Sequence, residues 1–187
     1  MRRFLLSVVL STLFALPLMA QDNSRIEVFG GYQYLRVGSA DGGGASLNTN
    51  GWNTSATFNL YKYLGVAADF SGSYKTLYPG AVFPIDVHMY TYTFGPVVTL
   101  HSGFFAHALF GGARSIPTAC ALYSGSPDEC GSGVYNGFAM MLGGGLDTRV
   151  TKSLAVRVLQ IDWVRLPFKQ GGENNNLRFS TGVVFRF

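Results

Sequence analysis

Apolar and polar residues alternate with a period of two along most of this chain. The clearest case is the segment 177–187, in which one row is apolar and the other contains Arg178 and Arg186. The apolar row consists of Leu177, Phe179, Val183, Phe185 and Phe187. Because successive side chains of a strand point to opposite faces, this segment predicts a strand with one apolar and one polar face. Such a strand suits a barrel wall with lipid outside and a polar interior.

Strand-like runs of this kind recur from residue 25 onward. They span 25–36, 51–61, 64–75, 87–100, 104–114, 134–150, 154–166 and 177–187. Their lengths match the ~9–11 residues that a tilted strand needs to cross a bilayer, with some overhang. The pattern therefore predicts eight membrane-crossing strands.

The links between these runs alternate between short and long. The short ones are 62–63, 101–103 and 151–153, and the long ones are 37–50, 76–86, 115–133 and 167–176. Short turns on one side and long loops on the other are typical of bacterial outer-membrane barrels. We therefore predict an all-β fold, an eight-stranded antiparallel up-and-down transmembrane barrel with its long loops outside the cell.

Aromatic residues concentrate near the predicted strand ends, as expected for the aromatic belts of a membrane protein. They are Tyr34, Trp52, Tyr61, Tyr63, Tyr74, Tyr90 and Trp163. Two runs resist a simple assignment of faces. In 104–114, His107 shares its row with Phe105 and Leu109. In 154–166, Arg157 and Asp162 fall in opposite rows, and a β-bulge near Leu159 would bring both inside.

The first twenty residues have the layout of a secretory signal peptide. Arg2 and Arg3 precede an apolar run over 4–16, and Ala20 offers a small residue for cleavage. The run is shorter than the ~20 residues of a spanning helix, so a retained anchor is the weaker interpretation. We expect residues 1–20 to be removed and residues 21–187 to form the barrel in a bacterial outer membrane.

Composition supports this class and argues against nucleic-acid binding. The 187 residues are 48% hydrophobic and only 13% charged, with 15 Phe, 10 Tyr and 24 Gly. The formal net charge of +4 owes two units to Arg2 and Arg3, which leave with the signal peptide. Beyond the signal, the sequence contains no apolar run of the ~18 residues that indicate a transmembrane helix.

The polar rows predict a charge network in the barrel interior. Its members are Glu27, Asp69, Asp147, Arg149, Arg157, Asp162, Arg178 and Arg186. Buried charges need partners, and the strand order suggests Asp147 with Arg157, Asp162 with Arg178, and Glu27 with Arg186. Since an eight-stranded barrel is only wide enough for side chains, we expect a salt-bridged plug. The alternative is a gated pore whose pairs exchange partners.

Cys120 and Cys130 are the only cysteines. In an exported protein they are expected to form a structural disulfide that closes one small loop. Their spacing is too wide for a CxxC redox pair.

Several residues could take part in catalysis, but the sequence does not show a recognisable catalytic set. A Ser-His-Asp set would draw on residues such as His88, Asp86 and Ser73 near the loop end of the barrel. The other candidates are His101, His107, Ser71 and Ser102. The three histidines do not form a metal-ligand cluster, and the glycine runs are not followed by helices, as phosphate-binding loops would be. We therefore predict no enzymatic activity, no metal and no cofactor.

The whole mature chain resembles the small eight-stranded outer-membrane barrels of the OmpA/OmpX-like superfamily, and more narrowly the acidobacterial outer-membrane β-barrel domain proteins. The resemblance rests on FGGYQYL (29–35), LGVAADFSGSY (64–74), YTYTFGPVVT (90–99), FFAHALFGGAR (104–114), GGGLDTRV (143–150), LAVRVLQIDWVR (154–165) and LRFSTGVVFRF (177–187). It implies an assembly signal in the last strand, read by the barrel-assembly machinery. The residues of that signal are Phe179, Val183, Phe185 and Phe187.

Three functions follow as expectations. The first is a structural or surface role in membrane integrity, adhesion or ligand contact through the extracellular loops. The second is a narrow porin for ions or small solutes, and the third is a lipid-modifying enzyme. The expected partners are outer-membrane lipids, the assembly machinery and an extracellular ligand, with no nucleic acid, and the protein is expected to be a monomer.

Overall fold

The computed structural model describes residues 24–37, 47–77, 85–100, 102–121, 129–166 and 176–187. Nine strands occur in these ranges: β1 (Ile26–Val37), β2 (Leu47–Asn59), β3 (Leu64–Leu77), β4 (Ile85–Thr99), β5 (Phe104–Ala121), β6 (Glu129–Ser132), β7 (Tyr135–Arg149), β8 (Leu154–Arg165) and β9 (Asn176–Arg186). The described residues contain no helix long and apolar enough to cross a membrane.

Eight of these strands close into an antiparallel barrel. Each pairs with the next along the chain, β5 pairs with β7, and β9 returns to pair with β1. Closure removes every unpaired strand edge from the wall, which a chain in hydrocarbon requires because no water can satisfy an open edge. The prediction of an eight-stranded all-β barrel is confirmed.

The predicted strands are too short at one end of the barrel. β2 begins at Leu47 rather than at residue 51, β3 continues to Leu77, and β5 continues to Ala121 instead of stopping at 114. The short strand β6 pairs with the end of β5 and was not predicted. The reason is that Gly, Ser, Thr and Pro in these stretches suggest loops, whereas hydrogen bonding to the neighbouring strand keeps them extended.

The two ends of the barrel are named here by their connections. The turn rim is the end at which β2 is followed by β3, β4 by β5 and β7 by β8, and the loop rim is the opposite end. In the turn rim, Gly103 has a φ of +86°, a conformation that favours glycine. A Cβ at this position would clash with the carbonyl oxygen of Asp147. The turn therefore needs glycine for both its backbone and its space.

The predicted division of the last strand into two faces is confirmed. Arg178, Val184 and Arg186 are buried inside the barrel, whereas Leu177 and Phe185 are exposed outside. The bulge predicted near Leu159 is also present. Leu159 pairs with Leu146 and Arg157 with Asp147, so one extra residue lies between them in β8. The bulge turns both Arg157 and Asp162 inward.

The outer wall is apolar over most of its height. Phe58, Phe70, Phe94 and Phe185 are all about half exposed or more. Aromatic residues also lie where the belts were predicted, with Tyr61 and Tyr63 exposed at the turn rim. Near the loop rim, the Trp52 Nε1–H donates to the Tyr74 hydroxyl over 3.1 Å.

Candidate functional site: the barrel lumen

Arg178 is the centre of a buried ion network. Its guanidinium donates to both carboxylate oxygens of Asp69, at 2.8 and 3.1 Å, and its Nη2 lies 2.6 Å from Asp162. The arginine and both aspartates are at most 1% exposed. The three residues come from β9, β3 and β8, so the network spans the width of the lumen. Two buried carboxylates thus share one cation inside the barrel.

Asp162 has two further partners. His107 Nε2 lies 2.8 Å from Asp162 Oδ1, and Gln160 Nε2 donates to Oδ2 over 2.7 Å. On the Asp69 side, Asn53 donates to Oδ2 over 2.9 Å. Dense hydrogen bonding of this kind offsets the large cost of removing two carboxylates from water.

Arg157 extends the network toward the turn rim. It donates to both oxygens of Asp147, at 2.8 and 3.0 Å, and to Gln160 Oε1 over 2.7 Å. Its guanidinium carbon lies 4.3 Å from the ring centroid of Phe29 and 4.1 Å from that of Phe105. Arginine suits this place because its planar group can bind a carboxylate and stack on aromatic rings at once.

The two parts join through Gln160 into one continuous assembly, which we call the ionic layer. It consists of Asn53, Asp69, His107, Asp147, Arg157, Gln160, Asp162 and Arg178. Its residues come from six strands: β2, β3, β5, β7, β8 and β9.

Glu27 and Arg186 lie below the ionic layer, at the turn rim. Arg186 Nε is 3.1 Å from Glu27 Oε1, and Ser24 donates to the same oxygen over 3.2 Å. The glutamate side chain is 14% exposed, more than the other carboxylates of the lumen that form ion pairs. Arg149 is half-buried at the same rim and engages other groups there.

An apolar cluster lies in the loop-rim half of the lumen, beside buried polar residues such as Gln33, Ser73 and Asn176. We call it the apolar layer, and it consists of Leu35, Met89, Ala113, Ala139, Met141, Val164 and Leu166. All seven are at most 3% exposed. In each strand that supplies both layers the apolar residue lies nearer the loop rim; for example, Val164 follows Asp162 in β8. Sequence inspection missed this layer because it treated the inward rows as polar.

Little space remains between the side chains of the lumen. A cavity of about 20 Å³ lies on the turn-rim side of the ionic layer, bordered by Asp69, His107, Asp147 and Arg157 among others. A single water needs roughly 10–15 Å³, so this volume holds about one. The cavity cannot accommodate a solute, and the described lumen resembles a filled core more than a channel.

The candidate catalytic residues do not converge. His88 and Asp86 are on the outer face, where His88 packs edge-on against Tyr74 at 5.2 Å and Asp86 accepts from Thr76 over 2.7 Å. Ser73 is on the opposite face, buried against Gln33 in the lumen. The only histidine in the described ion network, His107, faces Asp162 rather than a serine. His101 lies outside the described residues.

Within the described residues, no group of three or more His, Cys, Asp or Glu could hold a metal ion. Cys120 and Cys130 are direct partners in the register of β5 and β6, but their side chains lie outside the described set. The disulfide stays a prediction. The predicted signal peptide, residues 1–20, also lies outside the described residues and stays a prediction.

Several residues of the lumen were not predicted from the sequence. They are Gln160, Phe29 and Phe105, and His107 was left ambiguous. The inward position of Gln160 could have been predicted. It lies two residues before Asp162 and therefore faces the same side of β8 once the bulge is placed. The sequence gives no comparable indication for Phe29 and Phe105. An aromatic ring inside the barrel would be expected only if its contact with the Arg157 guanidinium were already known.

No protein-family model and no curated protein matches the chain by sequence. Its fold does match solved structures. The structure of Ail, the attachment invasion locus protein of Yersinia pestis, aligns with a TM-score of 0.66 at 16% identity over 88% of this chain and 99% of Ail. Another structure of Ail contains the heparin analogue sucrose octasulfate.

Two further structures share the fold. Neisserial surface protein A aligns with a TM-score of 0.53 at 17% identity, over 88% of this chain and 98% of that protein. The outer-membrane protein OprG of Pseudomonas aeruginosa aligns with a TM-score of 0.50 at 11% identity, over 90% of this chain and 98% of OprG. The chain thus has the fold of small bacterial outer-membrane barrels, and identities this low establish the fold alone.

Proposed function

We propose that this protein is a surface-contact protein of a bacterial outer membrane, anchored by its barrel and acting through its loop rim. The observation that carries the proposal is the filling of the lumen. The ionic layer and the apolar layer follow each other along the barrel axis, and the cavity between the lumen side chains beside the ionic layer is only about 20 Å³. A barrel filled in this way serves as a membrane anchor and not as a passage.

The loop rim supplies the contact surface. Ser115 is the last residue of β5 that pairs with β7, yet β5 continues through residues 116–121. β4 follows it as far as the pair Ile85–Ala119, and β6 adds a fourth strand on its other side. A four-stranded sheet of β3, β4, β5 and β6 therefore extends beyond the rest of the wall. Ail, which has this barrel fold, is by its name an attachment and invasion protein.

The membrane placement follows from the closed wall and its apolar exterior. Export by the signal peptide, assembly through the last strand and a periplasmic turn rim are parts of the same proposal. Barrel proteins of this kind keep their longer connections on the cell surface, which places the projecting sheet outside.

Two measurements test the proposal. In planar bilayers, the refolded protein should give no steady conductance, and steady openings would contradict the filled-barrel interpretation. In an outer-membrane-bearing host, cells that display the protein should bind to surfaces or host cells more than cells without it. Shortening of the β5–β6 hairpin over residues 118–132 should remove that gain.

The matched control is Lys152→Gln, which changes an exposed residue at the opposite rim. Both variants should retain heat-modifiable gel migration, which reports a folded barrel. Equal binding by the shortened and the unshortened protein would show that the projecting sheet is not the contact surface.

A further inference from the structure

A groove of about 510 Å³ crosses the outer wall over β1–β4 in the turn-rim half of the barrel. Its floor is formed by Ala56 and Ala68, and its walls by Ile26, Phe58, Val66 and Phe94. All four wall residues are more than 40% exposed, with Phe94 at 70%. The groove is separate from the lumen site, since its floor residues point away from the ionic layer.

The register explains why the wall is indented here. Ala56 and Ala68 are direct partners across β2 and β3, and Phe94 is the next residue in the same row. One step toward the turn rim, Phe58 pairs with Val66. Two adjacent methyl groups therefore lie between larger side chains, and the difference in side-chain length creates the depression.

The position of the groove restricts its occupant to a hydrocarbon chain. The outer wall at this height lies within the apolar belt, where lipid tails replace water, and the groove lining is apolar. A closely fitting chain gains dispersion contacts with the groove walls that bulk lipid packed on a smooth wall would not make.

Charge at the turn rim selects the headgroup. Arg25 immediately precedes the wall residue Ile26, and Lys62 lies in the turn that follows β2. Both are exposed, and long basic side chains can extend to the level of lipid phosphates. The described turn residues 60–63, 102–103 and 150–153 include no carboxylate side chain that would pair with a headgroup amine. Glu27, the carboxylate described at this rim, pairs with Arg186 in the lumen.

We propose that this groove is a binding site for one acyl chain of an anionic phospholipid, with Arg25 and Lys62 holding its phosphate. The site rests on the proposed membrane placement, with the turn rim at the inner-leaflet surface. It would give the barrel a preferred lipid, of the phosphatidylglycerol class, in addition to the bulk lipid around it.

Native mass spectrometry of the full-length mature protein in detergent micelles, titrated with dioleoyl phosphatidylglycerol, tests the site. The wild type should retain one lipid at lower lipid concentration than any further ones. Ala56→Leu with Ala68→Leu fills the floor and should weaken this first binding at least fivefold. Ala106→Leu places the same substitution on the exposed outer face of β5 and should leave it unchanged.

The headgroup arm uses Arg25→Gln with Lys62→Gln. This variant should bind phosphatidylglycerol at least threefold more weakly and should lose the preference over dioleoyl phosphatidylethanolamine. Equal loss in the Ala106→Leu control, no effect of the floor variant, or no preferred first lipid in the wild type would each overturn the site.

Folding is scored on the same samples by heat-modifiable migration. A protein that folds into vesicles without conductance but binds no preferred lipid contradicts the lipid site alone. A protein that conducts or does not enter vesicles contradicts the proposed function instead. The two failures are therefore distinguishable.

Discussion

The ionic layer and the apolar layer fill the same barrel by opposite physical means. In the ionic layer, Arg178 is buried between Asp69 and Asp162, and each charge depends on the others. In the apolar layer, residues such as Met89 and Val164 pack against other buried apolar side chains. Removing one member of an ionic network leaves an uncompensated buried charge, whereas removing one apolar side chain leaves a dry cavity. The first layer should therefore be fragile and the second tolerant.

The largest effect is expected for Arg178→Ala, which strips two buried carboxylates of their shared cation. We expect a loss of about 3–5 kcal/mol in the free energy of unfolding. Urea unfolding in lipid vesicles, followed by the fluorescence of Trp52 and Trp163, would measure it.

The control for this variant neutralises the whole cluster. The triple variant Asp69→Asn, Asp162→Asn, Arg178→Met leaves no unpaired charge and should recover most of the lost stability. A triple variant as unstable as Arg178→Ala would show that packing volume, and not charge balance, decides the stability of this layer.

Met89→Ala should cost about 2–3 kcal/mol in the free energy of unfolding by the same measurement, because it leaves a cavity in a fully buried apolar cluster.

The two layers also differ from one another in position along the barrel axis, and this arrangement predicts the ion conductance of the variants. Since the two layers are in series, neither Met89→Ala nor Arg178→Ala alone should conduct ions in planar bilayers. The double variant is expected to show openings. Conductance in either single variant would show that only one layer seals the lumen.

Arg157→Lys should cost about 1–2 kcal/mol, through loss of the paired hydrogen bonds to Asp147 and of stacking between Phe29 and Phe105. Because lysine keeps the positive charge, any loss of stability in this variant reports the contribution of the planar guanidinium group. Thermal unfolding in micelles beside Arg157→Met would separate the two contributions. A lysine variant as stable as the wild type would mean that charge alone suffices here.

The smallest effect is expected for Glu27→Gln at the turn rim. In this pair Arg186 is buried and Glu27 is 14% exposed, with a separation of 3.1 Å. Glutamine keeps an acceptor oxygen for the guanidinium, so the loss should be about 1 kcal/mol. The loss should shrink further between low and high salt because the pair is screened. A loss equal to that of Arg178→Ala would contradict the distinction between the rim and the interior.

Some of the lumen could be predicted from spacing alone. Arg157 and Asp147 flank the turn 150–153, so their pairing follows from the short connection. Asp69 could be placed inward by its parity, but its partnership with Arg178 could not be predicted. The two are 109 positions apart and belong to strands that are not neighbours in the wall. Their contact depends on the diameter of the closed barrel.

The sequence by itself determined the number of barrel strands and the side of most of them that faces out, and it suggested the bulge in β8, whereas the faces of 104–114 stayed ambiguous. These features depend on period-two alternation and on tight turns, which act between residues close in the chain. Only the tertiary structure decided that Arg178 joins Asp69 to Asp162, that an apolar layer lies in the other half of the lumen, and that β3–β6 extend past the rim. Each of these depends on how far strands are staggered around a closed cylinder, and stagger is set by all eight pairings together.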